Sequence, residues 1–447
     1  MRFTPSNGTG VSAAPRRSGK VVVGNGHGLP PEEACQHYEG ILKMYEKTEI
    51  KASGGPELVY YAGERVVGSG KLAWDECFDD SGRYRLIIGD HLQYRYELLK
   101  AIGAGTSGNV FEAYDHKECL RVAVKVTRVN KLRPASYFEK AREEAEILRY
   151  IQQDQEPSGA DSGNNIVKLL SMFIFRGSPF MIFPLLSGCT LYRAVHATHE
   201  SKLPVAAVRQ IARQLMKALV CLDAKGLVHG DIKADNVIVQ VEGTTHDIHR
   251  VVLIDLGSAV FLPLARARLE APPLGAMSFK APEALLEVEW GGGIDMWSVG
   301  CLLYFLVTGE YVVEPGTGMT DCLQVLQRQV SVLGCPPQSL VERWKKQWLI
   351  TEQSVAIRTS AGLTGRYLPM RQFPSSVLTT QAICRSRSGG GDHMSLEERL
   401  AISAGRDRDS QLFTEFVSAC LVWDPDARMT PGRALVHPFL SCCSESA

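Results

Sequence analysis

The sequence has no excess of charge of either sign, because 49 lysines and arginines balance 49 aspartates and glutamates. A chain that binds nucleic acid through its overall field carries a basic excess, so we expect no nucleic-acid partner. The sequence also lacks an apolar run of about 18 residues, and its opening segment lacks the apolar core of a signal peptide. We therefore expect no membrane partner, and a location in the cytoplasm, the nucleus or both.

The cysteines show no pattern that predicts a metal site or a disulfide framework. The twelve cysteines include no Cys-x-x-Cys pair and no Cys/His spacing suited to zinc, so we expect reduced thiols in the core. Ser444 stands where prenylation would require a cysteine, and we expect no lipid anchor.

Composition and length predict a large folded unit with extensions. Hydrophobic residues make up 45% of the chain and charged residues 22%, which is typical of a soluble globular protein. Residues 1–30 are rich in Gly, Ser, Pro and basic residues without a period, so we expect a disordered tail. The remaining expected divisions are an ordered accessory region over 31–95, the main domain over 96–440 and a tail over 441–447.

Hydrophobic spacing predicts an ordered element ahead of the main domain. Tyr38, Ile41, Leu42 and Tyr45 recur at helical spacing, and a short strand is expected over 58–61.

The main domain is expected to begin with strands and to continue with helices. The segment from 94 to 130 has the pattern strand, glycine-rich turn, strand and strand, whereas 138–151 has helical periodicity. Most of the following sequence predicts helices joined by loops, and weak periodicity over 352–395 predicts a surface insertion. The expected fold class is α+β, with a β-rich lobe over 96–186 that contains one helix and a mainly helical lobe over 187–440.

A glycine-rich segment, Gly103-Ala-Gly105-Thr-Ser-Gly108-Asn-Val110, lies between two predicted strands. Glycines allow a backbone to fold closely over phosphates and to present its N–H groups to them. The spacing alone also fits a dinucleotide-binding fingerprint or an ordinary hairpin. Because a strand rather than a helix follows, it favours a hairpin that covers phosphates.

Lys125 ends an apolar strand, Val122-Ala-Val-Lys125, where an ammonium group needs an anion beside it. We expect phosphate oxygens and a helical glutamate to supply the negative charge. Glu143, Glu144 and Glu146 compete for this role, and a solvated acidic face is the alternative. Glu144 is favoured because it lies one turn before the apolar residues Ile147 and Leu148.

The segment Val228-His-Gly-Asp231-Ile-Lys233-Ala-Asp-Asn236 carries the strongest chemical signal. Phosphoryl transfer needs a carboxylate that accepts the proton of the attacking hydroxyl, a cation near the transferred group and a metal ligand. Asp231, Lys233 and Asn236 supply these three groups in that order, which an ordinary polar loop would not require. His229 is expected to be a packed structural residue.

Asp255 follows the buried strand Val251-Val-Leu-Ile and precedes Leu256 and a glycine. An aspartate at the end of a strand is often only a turn former. Its position after Asp231 also suits the main ligand of a magnesium ion that bridges two phosphates. Three further residues are expected to be structural: Glu283 and Arg428 as a buried ion pair, and Asp295 as a carboxylate that caps backbone N–H groups.

Together these ordered motifs resemble the signature of eukaryotic protein kinases across 96–440. Two finer features are similar to the dual-specificity tyrosine-regulated kinases of the CMGC group, especially their second class. The segments Asp79–Tyr84 and Gly89–Glu97 resemble the N-terminal homology box of that family, and 31–63 resembles its accessory region.

This resemblance implies a two-lobed kinase that transfers the γ-phosphoryl group of ATP, with Mg²⁺, to serine or threonine hydroxyls of protein substrates. It implies catalytic roles for Asp231, Lys233, Lys125 and Glu144, and metal ligation by Asn236 and Asp255. The expected state is a monomer, with a family-typical insertion over about 311–395. The implied ATP-binding residues, with Phe183 as gatekeeper and Pro184 to Leu186 as hinge, are Ile102, Gly103, Ala104, Gly105, Gly108, Val110, Ala123, Lys125, Phe183, Pro184, Leu185 and Leu186.

The activation segment departs from the family pattern. Ala271 and Pro273 stand at the positions of the family's Tyr-x-Tyr pair, and Gly230 replaces an arginine that often clamps a phosphorylated segment. Met277 and Ser278 replace Arg-Phe, and Ala276 lacks a hydroxyl common among Ser/Thr kinases.

These departures leave a pseudokinase scaffold as the alternative function. A small-molecule phosphotransferase is disfavoured by Ala-Pro-Glu283 and Arg428. If Leu262, Leu264 and Leu274 hold the segment by apolar contacts, we expect constitutive activity.

Overall fold

The computed structural model describes residues 26–52, 55–62, 79, 84–85, 87–104, 108–127, 134–153, 163–241, 248–268, 275–314, 322–360, 379–384 and 394–441. The chain divides into two compact units. The first comprises 1–161 and 167–186, and the second comprises 162–166 and 187–447. Most of the tail expected over 1–30, and the tail after 441, lie outside the described residues.

The first unit is built on an antiparallel sheet of six strands in the order β1-β2-β3-β4-β6-β5. Short connections join β3 to β4 and β5 to β6, which allows antiparallel pairing. The long helix α3 (Pro134–Gln152) lies between β4 and β5 in the chain. The strands are β1 (His91–Leu92), β2 (Tyr96–Ala104), β3 (Gly108–Asp115), β4 (Leu120–Thr127), β5 (Ser171–Phe175) and β6 (Ser178–Pro184), and the helices are α1 (Pro31–His37), α2 (Met44–Lys51) and α3 (Pro134–Gln152).

One face of this sheet shares a hydrophobic core with the N-terminal accessory region. Side chains alternate between the two faces of a strand, so Val122, Val124 and Val126 of β4 all point to the same side. They are buried together with Phe111 of β3. The accessory region contributes further buried side chains to the same cluster, among them Ala34, Tyr38, Leu42 and Ile50.

A buried arginine adds a polar link between the accessory region and the sheet. Arg176 lies in the turn between β5 and β6, and its Nη2 atom is 3.1 Å from Oε2 of Glu49. Glu46 and Asp90 also lie within 4.0 Å of the guanidinium group. Burial by itself would lower the pKa of Arg176. The nearby carboxylates, Glu49 above all, raise the pKa by more than burial lowers it, so the net pKa is above the usual value. The accessory region is therefore integral to the first unit.

The accessory region differs from its predicted form. The expected helix around Tyr38 to Tyr45 is wrong as a single element, because α1 ends at His37 and α2 begins at Met44. Gly40 lies in the break, where a residue with little helical propensity favours an interruption. The strand expected over 58–61 is reduced to an isolated bridge between Leu29 and Val59.

The second unit is mainly helical and has two small sheets, in the orders β10-β9-β7 and β11-β8. Its central helix, α8, is buried at every position from Ile294 to Val307, as expected for a helix that is apolar on all sides. The strands are β7 (Cys189–Thr190), β8 (Leu227–Val228), β9 (Val237–Val241), β10 (Ile248–Leu253) and β11 (Val260–Phe261). The helices are α4 (Leu191–His196), α5 (Val205–Ala224), α6 (Leu262–Arg268), α7 (Pro282–Leu285), α8 (Gly293–Thr308), α9 (Cys322–Leu333), α10 (Gln338–Ser360), α11 (Thr380–Ile383), α12 (Leu396–Ala404), α13 (Arg408–Cys420), α14 (Pro431–Leu435) and α15 (Pro438–Ser441).

Two further predictions need adjustment. Helix α3 begins at Pro134 rather than near 138, because proline suits the first turn of a helix. Helix α10 extends to Ser360, inside the stretch predicted to be a weakly periodic insertion. Within the parts of the chain that the structure covers, no helix combines the length and apolar character needed to cross a membrane.

The expectation of reduced cysteines is wrong for one pair. Cys335 and Cys384 form a disulfide, with their Cα atoms 5.8 Å apart. The two residues are separated by 49 positions and meet only because α11 packs beside the end of α9. Pairing at such a separation leaves no spacing signal in the sequence. Six other described cysteines are free thiols: Cys35, Cys119, Cys189, Cys221, Cys301 and Cys420.

The predicted ion pair between Glu283 and Arg428 is confirmed and lies in the core of the second unit. Nη1 of Arg428 donates to Oε1 of Glu283 at 2.6 Å, and Nη2 donates to Oε2 at 3.0 Å. The same guanidinium group donates to the backbone carbonyls of Gly293, Val422 and Trp423. A bidentate pair with its remaining donors satisfied meets the condition for a stable buried charge.

We predict that Arg428→Met lowers the free energy of unfolding by about 3–5 kcal/mol, because it leaves the buried Glu283 charge without a partner. Urea denaturation followed by tryptophan fluorescence measures this loss. The control is Arg433→Met, since Arg433 is exposed on α14. Equal stability of the two variants would contradict the prediction.

Candidate active site

Lys125 and Glu144 form a buried ion pair in the first unit. Nζ of Lys125 lies 2.7 Å from Oε1 and 2.9 Å from Oε2 of Glu144. Both side chains are less than a tenth exposed, whereas Glu143 and Glu146 are exposed on the same helix. Glu144 is therefore the partner of Lys125 among the three glutamates considered. The pair places a fixed cation on one face of the sheet.

Several predicted ATP-binding residues share this face. Val110 is the register partner of Lys125, and Ala123 lies two residues before Lys125 on the same strand. Phe183 pairs with Ala123 on the next strand. Opposite residues in a ladder and alternate residues in a strand point to the same side. Val110 and Ala123 are partly exposed, and Phe183 is buried.

The other predicted ATP-binding residues lie near the end of β2, at the start of β3 and at the end of β6. Ile102 is exposed, and Gly103 is paired with Val110. Pro184, Leu185 and Leu186 are half-buried at the end of β6. Gly108 begins β3, and Ala104 ends β2. Gly105 lies outside the described residues, so the glycine-rich turn itself stays a prediction.

The second unit brings together Asp231, Lys233 and Asn236. This segment runs from β8 through a loop into a 3₁₀ turn over Ala234–Asn236, immediately before β9. Nζ of Lys233 lies 2.7 Å from Oδ2 of Asp231. Nδ2 of Asn236 donates to the same oxygen at 3.0 Å and to the carbonyl of Asp231 at 2.8 Å. These hydrogen bonds fix the orientation of the carboxylate.

Buried residues hold the backbone just before Asp231. Asp295, the third residue of α8, accepts hydrogen bonds from the N–H groups of His229 and Gly230 at 2.7 and 2.9 Å. The predicted capping role of Asp295 is therefore confirmed. Burial raises its pKa, while the positive potential of His229 and the backbone N–H donors oppose that rise. His229 is fully buried and contacts the carbonyl of Ile254 through Nε2 at 3.3 Å, which confirms its structural packing.

Asp255 lies near Asn236, because a backbone hydrogen bond joins the preceding residue, Ile254, to Asn236. The N–H of Ile254 donates to the carbonyl of Asn236 at 2.9 Å. Asp255 has a φ of 61°, which is uncommon for a residue other than glycine and often marks a functional position. Its Oδ1 atom accepts a hydrogen bond from Gly257 at 3.4 Å.

The oxygen atoms of Asn236 and Asp255 form a donor set that fits magnesium. Mg²⁺ prefers oxygen ligands, usually one or two carboxylates together with phosphate oxygens and water. Because Nδ2 of Asn236 is used by Asp231, the amide oxygen is the atom left for a metal. No cluster of three or more His, Cys, Asp or Glu suited to a metal occurs in the described ranges. An ion held here would therefore need further oxygen ligands from a nucleotide or water.

The altered activation segment contacts this loop in a way that the sequence did not predict. The backbone N–H of Ala276 donates to Oδ1 of Asp231 at 3.1 Å. Such a contact carries no side-chain signature, so residue types could not have shown it. Ser278 is buried, and Met277 is half-buried. Ala271 and Pro273 lie outside the described residues.

The proposed apolar hold on this segment is not seen at Leu264, whose side chain is 44% exposed. Leu262 is half-buried at the start of α6, and Leu274 lies outside the described residues. The described part of the segment contacts the catalytic loop through the backbone hydrogen bond from Ala276 to Asp231.

We predict that Glu144→Gln weakens nucleotide binding about 10-fold or more, because it removes the carboxylate that holds the buried ammonium group of Lys125 in place. Binding of a fluorescent ATP analogue measures this change, and thermal unfolding reports the accompanying loss of stability. Glu143→Gln is the matched control, one residue away and exposed. Equal affinities of the two variants would show that the pair does not support nucleotide binding.

Comparison with known proteins supports the same interpretation. The family model for the protein kinase domain matches residues 96–440. Dual specificity tyrosine-phosphorylation-regulated kinase 3 of Rattus norvegicus is 32% identical, over 98% of this chain and 69% of the relative. The human kinase 3 is 31% identical, over 92% of this chain and 65% of the relative.

A nematode relative, dual specificity tyrosine-phosphorylation-regulated kinase mbk-2 of Caenorhabditis briggsae, is 32% identical. That match covers 92% of this chain and 47% of the relative, so the chain spans about half the length of the nematode protein. The α+β architecture predicted from the sequence is that of the two-lobed protein kinase fold. With its kinase domain and its similarity to these relatives over most of its length, the chain belongs to the protein kinase family and, within the CMGC group, to the dual-specificity tyrosine-phosphorylation-regulated kinases.

Proposed function

We propose that the protein is a serine/threonine kinase that phosphorylates protein substrates and depends on ATP and Mg²⁺. The observation that carries this proposal is the oriented carboxylate of Asp231, with Lys233 and Asn236 bonded to its Oδ2 atom. A pseudokinase has no need for a proton acceptor held in this way. The protein would act on serine or threonine hydroxyls in other chains, in the cytoplasm or the nucleus, as a monomer.

Each residue of the second unit has a role that follows from its chemistry. Asp231 orients the substrate hydroxyl and accepts its proton as the hydroxyl oxygen attacks phosphorus. Lys233 places a positive charge beside this carboxylate, where it would stabilise the negative charge of the phosphoryl group during transfer. Asn236 and Asp255 would hold the metal ion through their side-chain oxygens.

The residues of the first unit account for nucleotide binding. Lys125 would bind the α- and β-phosphate oxygens, and Glu144 holds the ammonium group in place. The partly exposed apolar residues Val110 and Ala123 would contact the adenine ring, which buries apolar area at roughly 25 cal/mol per Å². Bound Mg²⁺-ATP would supply the phosphoryl group and the charge that neutralises the leaving oxygen.

The activation segment argues against self-activation by tyrosine phosphorylation at the family position. The relatives are named as tyrosine-phosphorylation-regulated, but the corresponding positions here are Ala271 and Pro273. Neither residue can carry a phosphate. We therefore propose that this kinase works without a phosphotyrosine in that pair.

The test is transfer of labelled phosphate from ATP to mixed histones by the purified chain, with and without Mg²⁺, followed by phosphoamino-acid analysis. We expect phosphoserine and phosphothreonine with the unaltered chain. Lys125→Ala and Asp231→Asn should each reduce the rate at least about 100-fold, because they remove nucleotide positioning and the proton acceptor respectively.

Three outcomes separate the competing functions. Nucleotide binding without transfer would overturn the proposal in favour of a pseudokinase scaffold. Transfer that survives Asp231→Asn would point to a contaminating kinase. Phosphotyrosine alone would overturn the assignment to serine and threonine.

A further inference from the structure

The residues that follow the altered part of the activation segment lie directly against the catalytic loop. The N–H of Ala276 donates to Oδ1 of Asp231 at 3.1 Å, on the carboxylate oxygen opposite the one that binds Lys233 and Asn236. The carboxylate is thus held from both sides. A carboxylate oxygen can accept two hydrogen bonds, so Oδ1 retains one acceptor position for a substrate hydroxyl.

The close contact between the activation segment and the catalytic loop requires glycine at position 275. A Cβ atom on Gly275 would lie 2.7 Å from the carbonyl oxygen of Gly230, which is closer than real Cβ contacts allow. Gly275 also has a φ of 47°, in the left-handed region that other residues rarely adopt. Gly230, with a φ of 76°, likewise occupies this region. The two glycines allow the backbones to meet without side chains between them.

The downstream backbone is anchored independently of this contact. The N–H of Phe279 donates to the carbonyl of Ala276 at 2.9 Å, and the carbonyl of Phe279 accepts a hydrogen bond from Oγ of Ser298 at 2.8 Å. The carbonyl of Lys280 accepts from Nε2 of Gln329, also at 2.8 Å. Helices α8 and α9 therefore fix the segment just beyond Ala276.

Little space is left between the segment and the loop. A cavity of about 10 Å³ lies there, lined by Asp231, Gly275, Ala276 and Phe279 among others. That volume is roughly the space for a single water molecule. Gly275 and Ala276 therefore lie close against the catalytic loop.

We propose that the backbone amide of Ala276 is a positioning group for Asp231, and that the contact between Gly230 and Gly275 holds it there without activation-segment phosphorylation. The assignment rests on the kinase function proposed above and concerns how that site is kept in its active arrangement. A backbone N–H has no rotamers to order, so the amide replaces the side-chain hydroxyl missing at Ala276 at little entropic cost. Asp231 remains the group that contacts the substrate.

The decisive variant is Ala276→Pro, because proline can adopt the φ of −83° found at Ala276. Its ring replaces the N–H donor with a Cδ that points at Oδ1 of Asp231, so the carboxylate loses this hydrogen bond and is displaced from its position. Gly432→Ala, at an open position on α14, serves as the control. Both are assayed as the full chain after phosphatase treatment, with mixed histones as the phosphate acceptor. We expect kcat to fall about 10- to 100-fold in Ala276→Pro and to stay near the unaltered value in Gly432→Ala.

Two further readouts separate positioning from general damage. The KM for ATP and the thermal midpoint of Ala276→Pro should match those of the unaltered chain. In an Asp231→Asn background, measured by single turnover, Ala276→Pro should cause no further loss, since the amide acts only through Asp231. A structural defect would add its full effect in that background.

A second variant covers the case in which Ala276→Pro fails to fold. Gly275→Ala should displace the amide and lower kcat to a similar extent, whereas Gly432→Ala, at an open position on α14, should not. Unchanged kcat in a folded Ala276→Pro or Gly275→Ala protein would overturn the assignment. Activity that disappears on phosphatase treatment would also overturn it, while leaving the kinase function intact. A chain inactive both before and after that treatment would overturn both.

Discussion

The buried pair of Glu283 and Arg428 is the constraint on which the second unit depends. A charge in the core is tolerated only when its partners are complete, so this guanidinium group requires three stretches of chain at once. It needs the carboxylate that follows the activation segment, the carbonyl of Gly293 at the start of α8, and the carbonyls of Val422 and Trp423. These stretches are distant in sequence. One fully hydrogen-bonded side chain therefore fixes both the origin of the central helix and the downstream end of the activation segment.

Helix α8 also positions the residues of the candidate active site. Two residues after Gly293, the carboxylate of Asp295 binds the backbone of His229 and Gly230, which precede Asp231. One turn further on, Ser298 binds the carbonyl of Phe279 in the activation segment. The same rigid element thus holds both the catalytic loop and the segment that lies on it. Functional groups positioned from a regular element keep their geometry better than groups that depend on loops alone.

Much of this arrangement could be predicted because it depends on side-chain identity at defined spacing. The order of Lys125, Asp231, Asn236 and Asp255 is specific to phosphoryl-transfer chemistry, and the choice of Glu144 over Glu143 followed from helical phase. The features that escaped prediction have different physical origins. The break between α1 and α2, the pairing of Cys335 with Cys384, and the amide contact of Ala276 depend on tertiary packing or on the backbone. Exposure of Leu264 on the short helix α6 shows that an apolar residue in the activation segment need not serve as an anchor.

The accessory region has a consequence for how the boundaries of this kinase are understood. The domain recognised from sequence similarity begins at residue 96, but the sheet face that contains Val122, Val124 and Phe111 is completed by Tyr38 and Leu42. A fragment cut at residue 96 would present this apolar face to water and leave Arg176 without Glu49 and Asp90. Exposed apolar surface next to strands favours aggregation. In physical terms the folding unit is larger than the family domain, and the accessory region belongs to the hydrophobic core of the kinase.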